Sequence, residues 1–462
     1  DVTGTGNSVN DPVGLTGADG IAIGTVSSIV AETKTVRALV GGTQIVDTLV
    51  VDWVPGPVDL ANSLIVSDRD TVTADGSDVC RITVTALDAF DNPVSGASVA
   101  LQATDTGGGN TIFQPASETD ESGIAIGWIN STYAEVKTVS ATINSISMLA
   151  VYDVAFIAGQ PDRFVITHDG AGVAGGAEDV TVEIYDANDN IVDWFDDVIR
   201  VHTDSPETED LIDWALGGGA AGSIVGESAD TVSYDFSPGD GGSVTLRFRD
   251  ERAETIRFIA RYGSVSDQSA MSMVIDHASA DAIAVLAGDG QRAVVGRAVP
   301  QMLTVSVEDA YGNRVDLEPV QFQVLAGGGT VDTDLSTGGV QTLTTTDASG
   351  VAVCESWVLG TVSGLDSDEV SATIAFGSTT EVVFTATTDH DILDSVVLDP
   401  PSADVTVNSQ TIVTATMTDQ YGNLVVGELL TIYIKDADDG TLEADPGNPN
   451  PTNPLGSHIR SG

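Results

Sequence analysis

A five-residue turn that occurs four times constrains the fold of this 462-residue chain more than any other feature. The four copies are Asp88–Asn92 (DAFDN), Asp186–Asn190 (DANDN), Asp309–Asn313 (DAYGN) and Asp419–Asn423 (DQYGN). Apolar residues stand two, four and six positions before each Asp, as in Ile82, Val84 and Ala86, and recur nine and eleven positions after each Asn. A period of two indicates a strand with one buried face. Each pentapeptide is therefore predicted to join two strands.

The side chains of the pentapeptide fit a structural role in such a turn. An Asp side chain caps a turn by accepting backbone hydrogen bonds, and Asn or Gly tolerates positive φ. The residues predicted to act in this way are Asp88, Asn92, Asp186, Asn190, Asp309, Asn313, Asp419 and Asn423.

A second strand pattern alternates with the first. It reads TVRALV from Thr35, TVSATI from Thr138, TIRFIA from Thr255 and EVSATI from Glu369. The pentapeptides recur at intervals of 98 to 123 residues, which is the size of an immunoglobulin-like sandwich. Helical periodicity is almost absent. The exception is SPETEDLIDWAL, where Ser205 as N-cap and Pro206 at the first position predict a short helix.

The combined pattern, D-x-Y-G-N-x-V, then T-D-x-x-G-x-A and a late V-x-A-T, resembles the group 1 bacterial immunoglobulin-like domain. This repeat builds the surface proteins of the invasin and intimin type, and the resemblance covers essentially the whole chain. It implies an all-β fold of tandem immunoglobulin-like β-sandwiches in an extended rod. It also implies a stiff stalk whose receptor-binding tip is a separate domain, and no lectin-like tip is recognisable here. The unit around Asp186 departs most, because it lacks the Thr-Asp turn and is longer between its two patterns.

The order of the two patterns predicts three complete domains between two partial ones. The complete domains are 57–159, 160–277 (with an insertion) and 278–388. Residues 1–56 read as the C-terminal half of a sandwich and residues 389–462 as the N-terminal half. The halves are completed by residues outside this stretch of a longer array, or by a second copy joined head to tail. Four units in line would span on the order of 120–160 Å, from about 3.3 Å per strand residue.

These expectations lead to two function classes. The first is a structural subunit of an extracellular filament, sheath or S-layer, joined head to tail through the split domain. The alternative is the rod-like stalk of an invasin- or intimin-type adhesin that presents a binding tip elsewhere. The expected partners are other copies of the chain or other surface proteins, and the expected location is the extracellular cell surface.

Composition and motif content exclude several other classes. With 69 acidic and 17 basic residues and a formal charge of −52, the chain repels nucleic acid and anionic lipid. No apolar run approaches the roughly 18 residues of a membrane span, so the chain is not expected to cross a membrane. No hydrolase, metalloprotease or phosphate-loop motif occurs, so the chain is not expected to be an enzyme.

The excess of carboxylates makes Ca²⁺ the one cofactor that the sequence suggests. Candidate ligands are Asp436 and Asp438 in DADDG, and the domain-boundary residues Asp389, Asp391 and Asp394. The alternative is that each cluster is a solvated acidic turn.

Aromatic residues are scarce, so those of the atypical unit stand out. Trp194, Phe195 and Trp214 lie in its insertion, and large aromatic side chains dominate contact energetics. They are predicted either to form an interaction surface or to build a local satellite core.

Overall fold

The computed structural model describes residues 1–206, 211–228, 230–332, 338–374, 380–406 and 409–431, together with the backbone of Ile459–Arg460. The only helical element in these residues is one 3₁₀ turn, Pro238–Asp240. No helix in the described part has the length and apolar character that crossing a membrane requires. Packing divides the chain into two compact units. One contains residues 1–170, 178–248 and 255–273, and the other contains residues 171–177, 249–254 and 274–462.

Residues 1–56, in the first unit, form two separate strand pairs. The strands are β1 (Asn7–Asn10), β2 (Thr25–Ser28), β3 (Thr33–Val40) and β4 (Thr43–Asp52). β1 pairs with β2 and β3 with β4, both antiparallel. Most side chains of β4 are exposed, whereas Lys34 of β3 is fully buried.

Residues 57–159 form a sandwich of two four-stranded sheets. The strands are β5 (Leu64–Ser67), β6 (Thr71–Thr73), β7 (Cys80–Thr85), β8 (Val99–Ala103), β9 (Asn110–Phe113), β10 (Ile124–Ser131), β11 (Val136–Ile143) and β12 (Ile146–Ile157). The sheet orders are β5-β7-β10-β9 and β6-β12-β11-β8. Ile82, Val84 and Ala86 are fully buried in the core, which confirms the predicted alternation.

Residues 160–277 form a larger sandwich. The strands are β13 (Arg163–Thr167), β14 (Ala171–Val173), β15 (Ala177–Tyr185), β16 (Val198–Thr203), β17 (Ile212–Leu216), β18 (Ser223–Ser228), β19 (Thr231–Asp235), β20 (Ser243–Asp250), β21 (Thr255–Ile256), β22 (Phe258–Tyr262), β23 (Val265–Gln268) and β24 (Met273–Asp276). The strands form a four-stranded sheet, β13-β15-β20-β17, and a five-stranded sheet, β18-β19-β16-β22-β23. In the second unit β14 pairs with β24 in parallel.

The short helix predicted from Ser205 is wrong where the structure can be compared, because Ile212–Leu216 form strand β17. Residues 207–210 lie outside the described residues. Ile212 and Trp214 are buried while Asp213 between them is exposed, which is the period of a strand. The Ser-Pro start signal is local, and it is outweighed here by burying Trp214 against the sandwich core.

Residues 278–388 form the third complete sandwich, in the second unit. Its strands are β25 (Ala280–Ala287), β26 (Gln291–Val294), β27 (Leu303–Asp309), β28 (Pro319–Ala326), β29 (Thr330–Asp332), β30 (Gln341–Thr345), β31 (Val351–Cys354), β32 (Ser356–Val358), β33 (Gly364–Ile374) and β34 (Glu381–Asp389). The sheets are β25-β27-β31, β26-β34-β33-β28-β30 and β29-β32. Trp357, Phe322 and Phe384 are among the buried residues of its core.

Residues 389–462 contribute β35 (Ser395–Asp399), β36 (Thr414–Thr418), β37 (Leu429–Leu430) and β38 (Ile459–Arg460). β35 pairs with β36 and β37 with β38, both antiparallel. The strand predicted at Ile432 and Ile434 lies outside the described residues. Together these segments confirm an all-β fold of tandem immunoglobulin-like sandwiches.

The core position Ile82 provides a test of this packing. Ile82→Ala leaves a cavity in the fully buried centre of its sandwich, so we expect a loss of roughly 2–5 kcal/mol in the stability of this domain. Hydrogen exchange of the β7 and β10 amides measures that loss domain by domain. The matched control is Leu64→Ala on the neighbouring β5, where Leu64 is 53% exposed and the expected cost is below about 1 kcal/mol. Equal losses in the two variants would contradict the assigned core.

Candidate functional site: the Asp–Asn junction turns

The four pentapeptides, called junction turns below, share one backbone geometry. The N–H of the first residue donates to the carbonyl of the fifth, and the N–H of the fourth donates to the carbonyl of the first. These bonds are Asp88 to Asn92 and Asp91 to Asp88, Asp186 to Asn190 and Asp189 to Asp186, Asp309 to Asn313 and Gly312 to Asp309, and Asp419 to Asn423 and Gly422 to Asp419. Positive φ falls on the fourth residue, with values of 65° at Asp91 and Asp189 and 86° and 85° at Gly312 and Gly422. Positive φ therefore falls on the residue before the Asn, which is Gly in two turns and Asp in the other two, and not on the Asn itself.

The Asp of each junction turn binds both its own turn and the start of its domain. Its Oδ1 accepts hydrogen bonds from the N–H groups of the third and fifth residues, as Asp88 does from Phe90 and Asn92. Its Oδ2 accepts a hydrogen bond from a backbone N–H in the segment that leads into the domain. The donors and distances are Gly56 to Asp88 at 2.9 Å, Gly159 to Asp186 at 2.8 Å, Ala278 to Asp309 at 2.8 Å and Asp391 to Asp419 at 2.9 Å.

The Asn of each junction turn reaches back to the preceding domain or partial domain. Its Oδ1 accepts from one backbone N–H, and its Nδ2 donates to the carbonyl two residues earlier. The acceptor bonds are Ala31 to Asn92 and Ala134 to Asn190 at 2.8 Å, and Ala253 to Asn313 and Ser363 to Asn423 at 2.9 Å. The donor bonds are Asn92 to Ile29 at 2.9 Å, Asn190 to Thr132 at 3.0 Å, Asn313 to Glu251 at 2.8 Å and Asn423 to Thr361 at 2.9 Å. The amide thus binds the preceding loop as a strand residue would, with paired bonds.

The same Asn side chain also donates to the Asp of its own turn. Asn92 Nδ2 lies 2.9 Å from Asp88 Oδ2, and the other three junction turns repeat this contact at 2.9 Å. One Asp–Asn pair therefore connects the preceding loop, the turn and the segment leading into the domain. We call this set of hydrogen bonds the junction clamp.

The buried Asp carboxylates of the clamps stay ionised. Burial alone would raise the pKa of each carboxyl, but the bonds from the Asn amide and three backbone N–H groups outweigh it and hold the pKa below its usual range. For Asp419 the same balance lowers the pKa to about 2. Each clamp is therefore organised around a charged acceptor, which gives shorter and stronger hydrogen bonds than a neutral one.

The third residue of three junction turns adds a contact to the preceding domain, and in the last of them it is Tyr421, which lies beside Gly296. Asn188 donates to the carbonyl of Ala74 at 3.2 Å. Tyr311 lies against Gly175, where a Cβ would overlap the phenol ring, and Arg249 donates to its hydroxyl at 3.3 Å. Gly175 also has φ of 74°, so both close approach and backbone conformation require glycine there.

The loop that receives Asn313 differs from its counterparts in charge. The Ala-Glu-x-Lys string of the first two loops, as in Ala134–Lys137, becomes Ala253–Ile256 in this loop. Lys137 is fully buried with its Nζ 2.5 Å from Glu135. Ile256 replaces that lysine, and Glu254 lies instead beside the buried Asp250.

This substitution leaves an acidic pair in the loop. Burial raises the pKa of Asp250 to about 6; the N–H of Arg252 opposes the rise, and Glu254 and Glu251 add to it. Asp250 Oδ2 is buried without a hydrogen-bond partner among the described residues. Protonation of that oxygen provides a donor for Glu254.

Two of the three boundary carboxylates predicted to bind Ca²⁺, those of Asp389 and Asp391, have protein partners. Asp389 receives two bonds from the Arg292 guanidinium, at 2.7 and 2.5 Å. Asp391 accepts from Gln420 Nε2 at 2.9 Å, and the backbone N–H of Asp394 donates to Thr418. In the described ranges no three Asp, Glu, His or Cys side chains are grouped to hold a metal ion.

The remaining predicted metal ligands, Asp436 and Asp438, lie outside the described residues. Calcium binding therefore stays a prediction.

Two of the three aromatic residues of the insertion, Phe195 and Trp214, are buried in a core. Phe195 and Trp214 are 2% and 5% exposed, with edge-to-face contacts to Phe236 and Phe248 respectively. Trp194 is partly buried and donates its indole N–H to the carbonyl of Ala158 at 2.8 Å. The packing of Phe195 and Trp214 favours the satellite core for these two residues, and the interaction surface stays a prediction for Trp194.

Sequence reasoning identified the junction turns but missed their partners in the preceding loops. Each acceptor Asn lies 56 to 61 residues after the N–H that it binds. Three of those N–H groups belong to Ala-Glu dipeptides, at Ala31, Ala134 and Ala253. The Ala-Glu dipeptide, which recurs at a near-constant distance before the Asn, is the sequence pattern that could have indicated these partners.

Comparison with known proteins agrees with this architecture. Residues 62–157 match the family model of the bacterial Ig-like domain (group 1). A curated relative, the inverse autotransporter adhesin YeeJ of Escherichia coli strain K12, is 31% identical over 134 residues, which cover 29% of this chain and 6% of that protein. The adhesin FdeC of Escherichia coli is similar in structure, with a TM-score of 0.41, 18% identity and coverage of 72% of this chain and 99% of that one. InvD of Yersinia pseudotuberculosis has a TM-score of 0.42, 14% identity and coverage of 71% and 98%.

The matched segment lies within the predicted domain 57–159, so the resemblance seen in the sequence is confirmed. The matched model describes a bacterial immunoglobulin-like domain, and the curated relative is an adhesin.

The junction clamp at Asn190 is open to a direct test. Asn190→Ala removes the part-buried bonds to Thr132 and Ala134, and hydrogen bonds of this kind contribute roughly 0.5–1.5 kcal/mol each. We expect the Ala134 amide to lose that much protection in hydrogen exchange. Asn190→Asp should be worse near neutral pH, because it places a second carboxylate against Asp186. Ser122→Ala, at an exposed turn position, is the control. If the Ala134 amide is equally protected in the Asn190→Ala variant, the clamp does not stabilise this junction.

The acidic pair of the Asn313 loop predicts a pH dependence. Because the folded pKa of Asp250 is about 6, above the usual value near 3.9, its neutral form stabilises the loop. That stability is complete below about pH 4 and is lost as the pH rises through 6, by roughly 3 kcal/mol. Asp250→Asn keeps a neutral side chain, so its Ala253 amide protection should not fall over this range. Hydrogen exchange of the Ala253 amide from pH 4 to 8 compares the unmodified chain with the Asp250→Asn variant. If the protection of this amide changes with pH in the same way in both, Asp250 is not the source of the pH dependence.

Proposed function

We propose that this chain, which contains a group 1 bacterial immunoglobulin-like domain, is a stiff stalk segment of a bacterial cell-surface adhesin. The observation that carries the proposal is the junction clamp, repeated with the same partners and nearly the same distances at four places. In a stiff stalk each domain keeps a fixed orientation relative to the preceding domain. The clamp bonds each turn both to the loop of the preceding domain and to the segment that leads into its own domain.

The clamp supports stiffness because it replaces a free linker with fixed hydrogen bonds. A short peptide linker without such bonds samples many directions. Here the linker residue Gly159 donates to Asp186 while Asn190 binds the loop at Thr132 and Ala134. The bond to the charged Asp186 contributes about 1.5–3 kcal/mol and each neutral bond of Asn190 roughly 0.5–1.5 kcal/mol, so bending the junction means breaking several bonds at once.

The surface charge suits the same role. Of the three lysines, Lys34 and Lys137 are fully buried, and Lys435 lies outside the described residues. With a net charge of −52, neighbouring domains repel one another through solvent, which favours extension and keeps stalks apart.

The filament, sheath or S-layer interpretation remains the second candidate from the sequence. It depends on a split domain completed by another copy. No observation of self-association supports it here, whereas the curated relative is an adhesin.

The test of the stalk proposal is the shape of the full chain in solution. Small-angle scattering should give an elongated particle of about 120–160 Å, from about 3.3 Å per strand residue. A variant with alanine at Asn92, Asn190, Asn313 and Asn423 should show a shorter mean extension and a broader distance distribution. The control is Ser122→Ala with Ser349→Ala, both at exposed turn positions. An unaltered distribution in the four-site variant would contradict clamp-based stiffness, and particles several chains long would support the filament instead.

A further inference from the structure

The outer face of the five-stranded sheet in 160–277 carries two arginines directly opposite each other. Arg200 on β16 pairs in register with Arg261 on β22. Ser233 on β19 stands beside Arg200, and Ser266 on β23 stands beside Arg261. Both arginines are exposed. The row Ser–Arg–Arg–Ser therefore crosses four adjacent strands on one surface.

This face points away from the sandwich core. Val201 and Ala260, which follow and precede the two arginines on their strands, are fully buried and pair with each other. Because successive residues of a strand point to opposite sides, burial of these neighbours fixes the arginines on the solvent side.

The arrangement carries an electrostatic cost that the fold does not offset. Opposed residues of an antiparallel pair have Cβ atoms about 4.5–5.5 Å apart, and like charges there are destabilising. Neither guanidinium has an ion pair or side-chain hydrogen bond within the described part of the chain. By contrast, Arg163 binds Asp189 and Arg247 binds Asp179 in the same domain.

The surroundings of the pair leave it open to an anion. The carboxylate nearest in register is Asp235, which stands opposite Val198, two positions from Arg200. On the other side, His202 directs its Nδ1 to the carbonyl of Thr203 and lies 4.0 Å from Asp230. The chain as a whole is strongly negative, with 69 acidic and 17 basic residues, whereas the two adjacent arginines make this part of the surface positive.

We propose that this face binds an anionic polysaccharide through its carboxylate groups. Each guanidinium is a planar fork that holds a carboxylate through two bonds, and the flanking serine hydroxyls suit sugar hydroxyls. β16 and β22 are interior strands whose backbones are already paired, so a peptide cannot add to them as a new strand. The row also lacks the aromatic anchor in a pocket that protein partners use. This binding is independent of the stalk proposal.

The test is binding of polygalacturonate to the full chain at about 0.15 M salt, where the Debye length is about 8 Å and the overall negative charge is largely screened. Neutral dextran is the uncharged control ligand. Changing both residues, Arg200→Gln with Arg261→Gln, should weaken binding about tenfold or more, as expected for loss of charge-assisted contacts. Arg200→Lys with Arg261→Lys keeps the charge without the fork and should give an intermediate loss.

The matched control is Arg163→Gln with Arg247→Gln, which changes the net charge equally on arginines that already have acidic partners. It should change the affinity less than about twofold, since rim charges contribute little. Removing the opposed pair relieves repulsion, so an unfolding temperature of the double Gln variant that is unchanged or raised shows that a loss of binding is not misfolding. Absence of binding by the unmodified chain, or equal losses in both double variants, would overturn the proposal. Tighter binding of poly-glutamate than of polygalacturonate would assign the face to an acidic peptide instead.

Discussion

An ionised, buried Asp with its Asn partner is the interaction on which the arrangement of domains depends. A carboxylate such as Asp186 is expensive to bury unless donors surround it. Its own turn supplies two N–H groups, the segment leading into the domain supplies a third, and Asn190 supplies the amide. Each of these donors is thereby fixed in place. The hydrogen bonds that offset the cost of burying this charge also order three separate stretches of chain around it.

The clamp explains why the chain repeats a whole pentapeptide and not only a turn-forming pair. A turn alone needs a residue that tolerates positive φ, and Asp91 or Gly312 provides that at the fourth position. The first and fifth positions are set by a different requirement, because only a carboxylate and an amide side chain make the bonds seen there. The five residues therefore meet two requirements: a local one, for positive φ at the fourth position, and one between domains, for the hydrogen bonds of the first and fifth positions.

The strands were predictable from the sequence because their signal is local. Ile82, Val84 and Ala86 alternate with polar residues, and burial on one side follows from strand geometry alone. The structural role of Asp88 and Asn92 was equally visible, since turn chemistry depends on near neighbours. The fold class required only that these local signals repeat.

The other half of each clamp was not predictable in the same way. Asn190 binds Ala134, 56 residues earlier, and no local pattern states that the two loops meet. The short helix predicted from Ser205 failed for a related reason: its start signal is local, whereas the burial of Trp214 depends on Phe248 and Phe258 from distant strands. Contacts distant in sequence decided both outcomes.

The junctions share a clamp but differ in the layer of residues behind it. Lys137 with Glu135 forms a buried ion pair behind one loop, whereas Asp250 with Glu254 forms an acidic pair behind another. Because the clamp bonds go to backbone groups, they are insensitive to which side chains stand behind the loop. The supporting residues are therefore free to change the stability of one junction without altering the direction in which its turn is held. A repeated array gains from this separation, since the clamp geometry is repeated along the chain while the stability of the Asn313 junction depends on pH through Asp250.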